Sequence, residues 1–147
     1  MAEQTESSIA IAAPADEVMA VIADLEAYPD WNDEVKQIEV LSVYDDEDER
    51  PAEVRFVLDA GAIKDDYTLE YTWEGDETVR WTLVGEAQVL KQMDGSYDLV
   101  DNGDGTTLVT YRLAVDVKFP MIGLMKRKAE KVIVDRALKG LKKRVES

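Results

Sequence analysis

The sequence predicts an α+β fold: seven antiparallel strands in one sheet, two short helices after the first strand, and a long C-terminal helix. Two observations carry this. Between Val35 and Lys118 apolar residues recur at every second position, the period of a strand with one buried face. After Pro120 the period changes to 3.6, that of an amphipathic helix. A sheet with one apolar face must bury it, and the helix is the partner at hand. The 147 residues are expected to make one domain spanning 1–147.

In chain order, Ser7 to Ala12 read as a short first strand. Pro14 suits the first helical position, and Asp16 and Glu17 suit the positive end of a helix dipole. Val18, Val21, Ile22 and Leu25 share one helical face, so the spacing predicts a helix over 14–27, stopped by Pro29. A further short turn is expected from Asp30 to Glu34. The strands then follow as Ile38 and Val40; Val54 to Ala60; Tyr67 to Trp73; Val79 to Leu83; Tyr97 and Leu99; and Val109 to Val117. Asp94-Gly95 and Asn102-Gly103 are the strongest turn dipeptides between them. Six consecutive strands on short turns make an antiparallel meander. The final helix carries Leu124, Met125, Ala129, Val132, Ile133, Ala137, Leu138, Leu141 and Val145 as an apolar stripe, with Lys126, Arg127, Glu130 and Lys131 on its other side.

Composition excludes several functions. The chain has no cysteine and no histidine, which removes disulfides, thiolate zinc sites, cysteine nucleophiles and every serine–histidine triad. Its net charge of −15 argues against binding DNA, whose phosphates need a cationic footprint. The N-terminus lacks the charged start and apolar core of a secretory signal, and no apolar run is long enough to span a membrane, so a cytoplasmic location is expected. The segment Asp101–Gly105 lacks the full spacing of a calcium loop, and it and the dense carboxylate run Asp45–Glu49 both lie between strands and read as solvated hairpin loops. No metal or cofactor is expected.

Charge is unevenly placed. From Lys118 to Ser147 ten basic residues face three acidic ones, a local +7 on a body of −22. Three readings fit this basic helix: weak contact with anionic membrane headgroups, binding of an acidic partner or RNA, or charge balance within the molecule. No protein partner is identified by it.

The segments Ile9-Ala-Ile-Ala-Ala-Pro14-Ala-Asp-Glu-Val18 and Ala23-Asp24-Leu25-Glu26-Ala27-Tyr28-Pro29-Asp30-Trp31 resemble the START-like, helix-grip superfamily, also called SRPBCC, and especially its bacterial polyketide cyclase/dehydrase branch. The similarity runs over essentially the whole chain. Met19 departs from it, standing where many relatives carry Trp or Phe. In this motif Tyr28, Pro29 and Trp31 are read as structural. The resemblance implies a curved sheet wrapped around the long helix with a hydrophobic cavity between them. Relatives bind or transfer lipids, sterols, quinones and polyketides, and a minority catalyse cyclisation or dehydration.

On that basis the expected ligand is a hydrophobic small molecule such as a lipid, isoprenoid or polyketide. The residues expected to contact it are Phe56, Leu58, Tyr67, Leu69, Tyr71, Trp73, Trp81, Tyr97, Tyr111 and Leu113 on the inner face of the sheet, with Met121, Leu124 and Met125 at the helix start. Aromatic residues with a polar handle suit such a lining, since the ring packs while the hydroxyl or indole N–H orients the ligand. A cyclase or dehydrase, the alternative, needs an acid or base inside the pocket. Alternation sends Arg55, Arg80, Arg112, Asp59, Glu70 and Asp116 to solvent and leaves only tyrosines within, so no catalytic residue is assigned. A third possibility is a regulatory protein acting through its charged surface, with a filled core.

Overall fold

The computed structural model describes residues 4–61, 63–120 and 122–147. Strand β1 (Thr5–Ile11) leads into α1 (Ala15–Ala23), a 3-10 turn (Leu25–Ala27) and α2 (Tyr28–Trp31). The meander follows as β2 (Val35–Val43), β3 (Pro51–Asp59), β4 (Lys64–Glu74), β5 (Thr78–Val84), β6 (Leu90–Asp101) and β7 (Thr107–Val117), and α3 (Gly123–Glu146) closes the chain. All seven strands form one antiparallel sheet in the order β1-β7-β6-β5-β4-β3-β2, so the first strand pairs with the last. The core lies between the inner face of this sheet and the helices. Val54, Val79, Val109, Leu113 and Val115 are buried on the sheet side, and Ile133, Val134, Ala137, Leu138 and Leu141 on α3.

The outer face behaves as alternation requires. Arg55 pairs with Asp66 at 2.5 Å, Arg80 with Glu74 at 2.6 Å, and Arg112 with Glu6 at 3.0 Å and also with Asp98. These are surface pairs across or along strands, screened by solvent and of little weight in stability.

Several elements differ from the sequence expectation. The first helix ends at Ala23 because Asp24 leaves helical geometry at φ −82° and ψ 70°. The 3-10 turn that follows lets both Leu25 and Tyr28 reach the core. Pro29 does not stop a helix; it sits in the first turn of α2, where its missing N–H has no bond to lose. Asp94-Gly95 is no turn either. Gly95 lies inside the continuous strand β6 opposite Trp81, and a Cβ there would fall 2.3 Å from the Trp81 ring. The glycine makes room for an indole lying across the neighbouring strand.

Helix α3 departs twice from its expected stripe. Glu130, read as solvent-facing, is fully buried: its carboxylate accepts the Thr5 hydroxyl at 2.9 Å and the Val115 N–H at 2.7 Å. It thereby occupies the backbone donor of β7 just beyond the point where β1 stops pairing, at Thr5↔Leu113. Leu124 and Met125, read as core, are exposed, and burial on α3 begins only at Ala129. Mid-helix Gly140 lets the α2 carbonyl of Trp31 approach so closely that a Cβ would lie 2.1 Å from it. At the far end of the sheet, buried Asp65 accepts the N–H groups of Gln88, Val89 and Leu90, tying the start of β4 to the loop entering β6.

Candidate ligand cavity

The inner-face aromatics are placed by period two, one strand after another. Phe56 and Leu58 come from β3, Tyr67, Leu69 and Tyr71 from β4, Trp81 from β5, Tyr97 from β6 and Tyr111 from β7. All of them line one internal cavity. Their rings form a continuous chain of contacts. Phe56 stacks on Tyr67 at 5.6 Å between centroids, Tyr71 meets Trp81 at 5.7 Å, and Tyr97 meets Tyr111 at 4.7 Å. Trp81 also meets Tyr111 edge-on at 5.5 Å.

The remaining wall comes from residues that the sequence did not single out as ligand contacts: Tyr28, Asn32, Val35, Met93 and Ile133. Tyr28 was read as structural, and its ring meets Phe56 edge-on at 6.3 Å. Asn32 follows α2, and its Oδ1 accepts the Glu34 N–H at 3.1 Å. Met93 stands in phase with Tyr97 on β6, a phase concealed when Asp94-Gly95 is taken for a turn. Ile133 lay on the expected stripe of α3, so its helical period could have found it.

Other expected residues lie elsewhere. Trp73 is half-buried, donates its indole N–H to Pro51 O at 2.7 Å and carries the Arg50 guanidinium 5.2 Å above its ring, away from the cavity. Leu113 is fully buried in the core but does not line the cavity wall. Leu124 and Met125 are 71% and 51% exposed, because the first turn of α3 stands clear of the sheet. Met121 lies outside the described residues.

Polarity in the cavity is concentrated in phenols. Tyr28, Tyr67, Tyr71, Tyr97 and Tyr111 are each more than nine-tenths buried, and among the described residues no protein group pairs with their hydroxyls; the one enclosed side-chain polar atom without a partner there is Trp31 Nε1. Burial pushes all five up from the ordinary phenol range, and neighbouring tyrosines add to the shift at all but Tyr111. They therefore stay protonated at neutral pH and offer O–H donors, not bases. Close by, Glu34 is buried but engaged by Arg136 at 2.5 Å and is not part of the lining. The cavity measures about 40 Å³. That holds a few waters at most, against the roughly 300 Å³ or more of a pocket for a drug-sized ligand.

Solved structures share this architecture. A START superfamily protein from Mycobacterium smegmatis superimposes with a TM-score of 0.87 at 25% identity, covering 97% of each chain. A Thermus thermophilus protein gives 0.80 at 24% identity, covering 98% of this chain and 97% of its own. The Zhui aromatase/cyclase from a Streptomyces strain gives 0.79 at 17% identity, covering 99% and 94%. At those lower identities the likeness is one of fold. No curated protein matches the chain. Among the described residues no helix is long and apolar enough to cross a membrane. The family described as "Polyketide cyclase / dehydrase and lipid transport" matches residues 2–146. With that match over nearly its whole length, and the seven-stranded sheet closed on a long C-terminal helix, the chain belongs to the polyketide cyclase/dehydrase and lipid transport family, within the START-like superfamily.

Proposed function

We propose that this protein is a cytoplasmic binder, and carrier, of an apolar small molecule that bears oxygen acceptors. One observation supports this above the rest: five tyrosines whose hydroxyls bond no protein group among the described residues line a single apolar cavity. Ring bodies supply an apolar enclosure, while the hydroxyls reward a ligand that presents carbonyl or hydroxyl oxygens. A bare acyl chain would leave these donors unanswered, at a cost for each. Because the cavity is only about 40 Å³, a ligand of useful size must displace wall side chains, so binding goes with rearrangement of the aromatic face. Phe56, Leu58, Tyr67, Leu69, Tyr71, Trp81, Tyr97 and Tyr111 are the proposed contacts, joined by Tyr28, Asn32 and Met93. The basic C-terminal helix would give such a carrier a weak contact with membrane.

The lining chemistry favours binding over catalysis. Phenols held protonated and one amide can orient a ligand, whereas cyclisation or dehydration needs a group that takes up a proton near neutral pH. The test is native purification, organic extraction and mass spectrometry, followed by titration of the emptied protein with palmitate and with a polyhydroxyanthraquinone. A stoichiometric oxygenated, largely apolar compound and tighter binding of the anthraquinone are expected. An empty extract together with no thermal shift by either compound would overturn the reading.

A further inference from the structure

We infer, resting on the cavity reading above, that Asn32 grips a carbonyl oxygen of the ligand and that this ligand is uncharged, an aryl ketone or similar neutral carbonyl compound rather than a fatty acid. Asn32 is 6% exposed and forms part of the cavity wall. The two ends of its amide differ. Oδ1 accepts the Glu34 N–H at 3.1 Å, and this fixes the orientation of the group, because a turned amide would set one N–H against another. Nδ2 is then the free end, and among the described residues no protein group accepts from it. Since Trp31 Nε1 alone is enclosed there without a partner, Nδ2 is not sealed within protein; it keeps open area, and the cavity is the space that Asn32 lines.

The backbone holds this donor in place. The Asn32 N–H donates to Tyr28 O at 2.8 Å, and Asn32 O accepts the Val35 N–H at 3.2 Å. Next along the chain, Glu34 O accepts the Asp59 N–H at 2.8 Å, and the Glu34 carboxylate pairs with Arg136 of α3 at 2.5 Å. The amide is thus fixed between the sheet and α3 before any ligand arrives. A phenol can turn to donate or to accept, whereas Nδ2 can only donate. A ligand that brings a methylene to this point takes the amide out of water and leaves its N–H groups unanswered, while a carbonyl oxygen answers them. Charge narrows the class further. Among the described residues the cavity wall holds no lysine or arginine, and nearby Arg136 is already taken by Glu34. A carboxylate ligand would lie buried without a counter-charge, close to a second buried carboxylate.

The test is titration of the emptied full chain, followed by quenching of tryptophan fluorescence, with two matched pairs of compounds: 9-fluorenone and fluorene, then fluorene-9-carboxylate and its methyl ester. Fluorenone should bind about tenfold tighter than fluorene, and the ester at least about tenfold tighter than the acid. Asn32→Ala and Asn32→Asp should each bring fluorenone and fluorene to within about twofold of one another. The aspartate keeps an acceptor for the Glu34 N–H, so its lost preference would not come from a broken turn, and a ratio taken within one variant cancels any general loosening of the fold. No ketone preference in the wild type, or a preference kept by either variant, would overturn the role of Asn32. Equal binding of acid and ester would overturn the uncharged ligand. If the wild type binds neither fluorenone nor fluorene, the cavity reading itself falls and takes this inference with it.

Discussion

Replacing Tyr71 by Phe removes one oxygen from the cavity and leaves the ring. Tyr71 is 2% exposed and packs against Phe56, Trp73 and Trp81, at 6.3, 5.6 and 5.7 Å between centroids, contacts that a phenyl ring keeps. At most buried tyrosines the change strands a protein partner and costs about 1–3 kcal/mol. Here no protein group among the described residues pairs with the hydroxyl, so the change strands no protein partner. The expected change in stability is a gain of about 0–1 kcal/mol, a rise of up to about 4 °C in melting temperature for a chain of this size. Affinity should move the other way. Loss of one hydrogen bond to an oxygenated ligand, worth about 0.5–1.5 kcal/mol, weakens binding roughly two- to twelvefold. Calorimetric melting and titration with the polyhydroxyanthraquinone read the two effects independently. A fall of more than about 3 °C in the melting temperature would show that the hydroxyl has a structural partner and refute the reasoning.

Three further substitutions probe the frame around the cavity. Gly95→Ala puts a methyl into the Trp81 ring and should cost about 1–3 kcal/mol in urea unfolding; in a Trp81→Ala background the same change should be nearly neutral, and additive costs would contradict the geometry. Asp65→Ala strips the acceptor from three backbone N–H groups and should cost about 3 kcal/mol, so a loss below about 1 kcal/mol would mean that the loop entering β6 finds other acceptors. Burial pushes the Glu130 carboxyl up, partly offset by the bonds from Thr5 and Val115. The folded state therefore holds that proton more tightly than the unfolded chain, and this contribution to stability is full below the unfolded carboxyl range and lost as pH rises through the folded value. Glu130→Gln keeps an acceptor for the Val115 N–H and removes the dependence, so its urea midpoints should fall less than the wild type's between about pH 4 and 7; parallel profiles would contradict the shift.

Period and punctuation made the fold legible, and they failed where a residue served a neighbour in space. Phe56, Tyr67, Tyr71, Trp81, Tyr97 and Tyr111 were readable as one wall because period two sends every second residue inward, whatever the pairing partner. Gly95 misled because a glycine chosen for close approach and one chosen for a turn look alike; the difference lies in the indole across the strand. Glu130 was unreadable as a core residue, since only the register of β1 against β7 creates the backbone donor that it satisfies. Leu124 and Met125 fit the helical stripe but lie before the point where α3 meets the sheet, a limit that period alone does not mark. Tyr28 and Asn32 enter the wall through the bend after Ala23, where neither period applies.

The pairing of the first strand with the last has a consequence for synthesis. Thr5 finds its partner only when Leu113 exists, so β1 waits for more than a hundred residues to be added, on the order of 5–20 s of translation. During that delay β2 to β7 can assemble on short turns from neighbours in the chain. The waiting segment, Thr-Glu-Ser-Ser-Ile-Ala-Ile, is suited to it: only Ile9 and Ile11 are strongly apolar, and Glu6 places a charge among small polar residues. Such a strand offers a nascent chain or a neighbouring ribosome little to stick to, and it completes the sheet edge after the rest has formed.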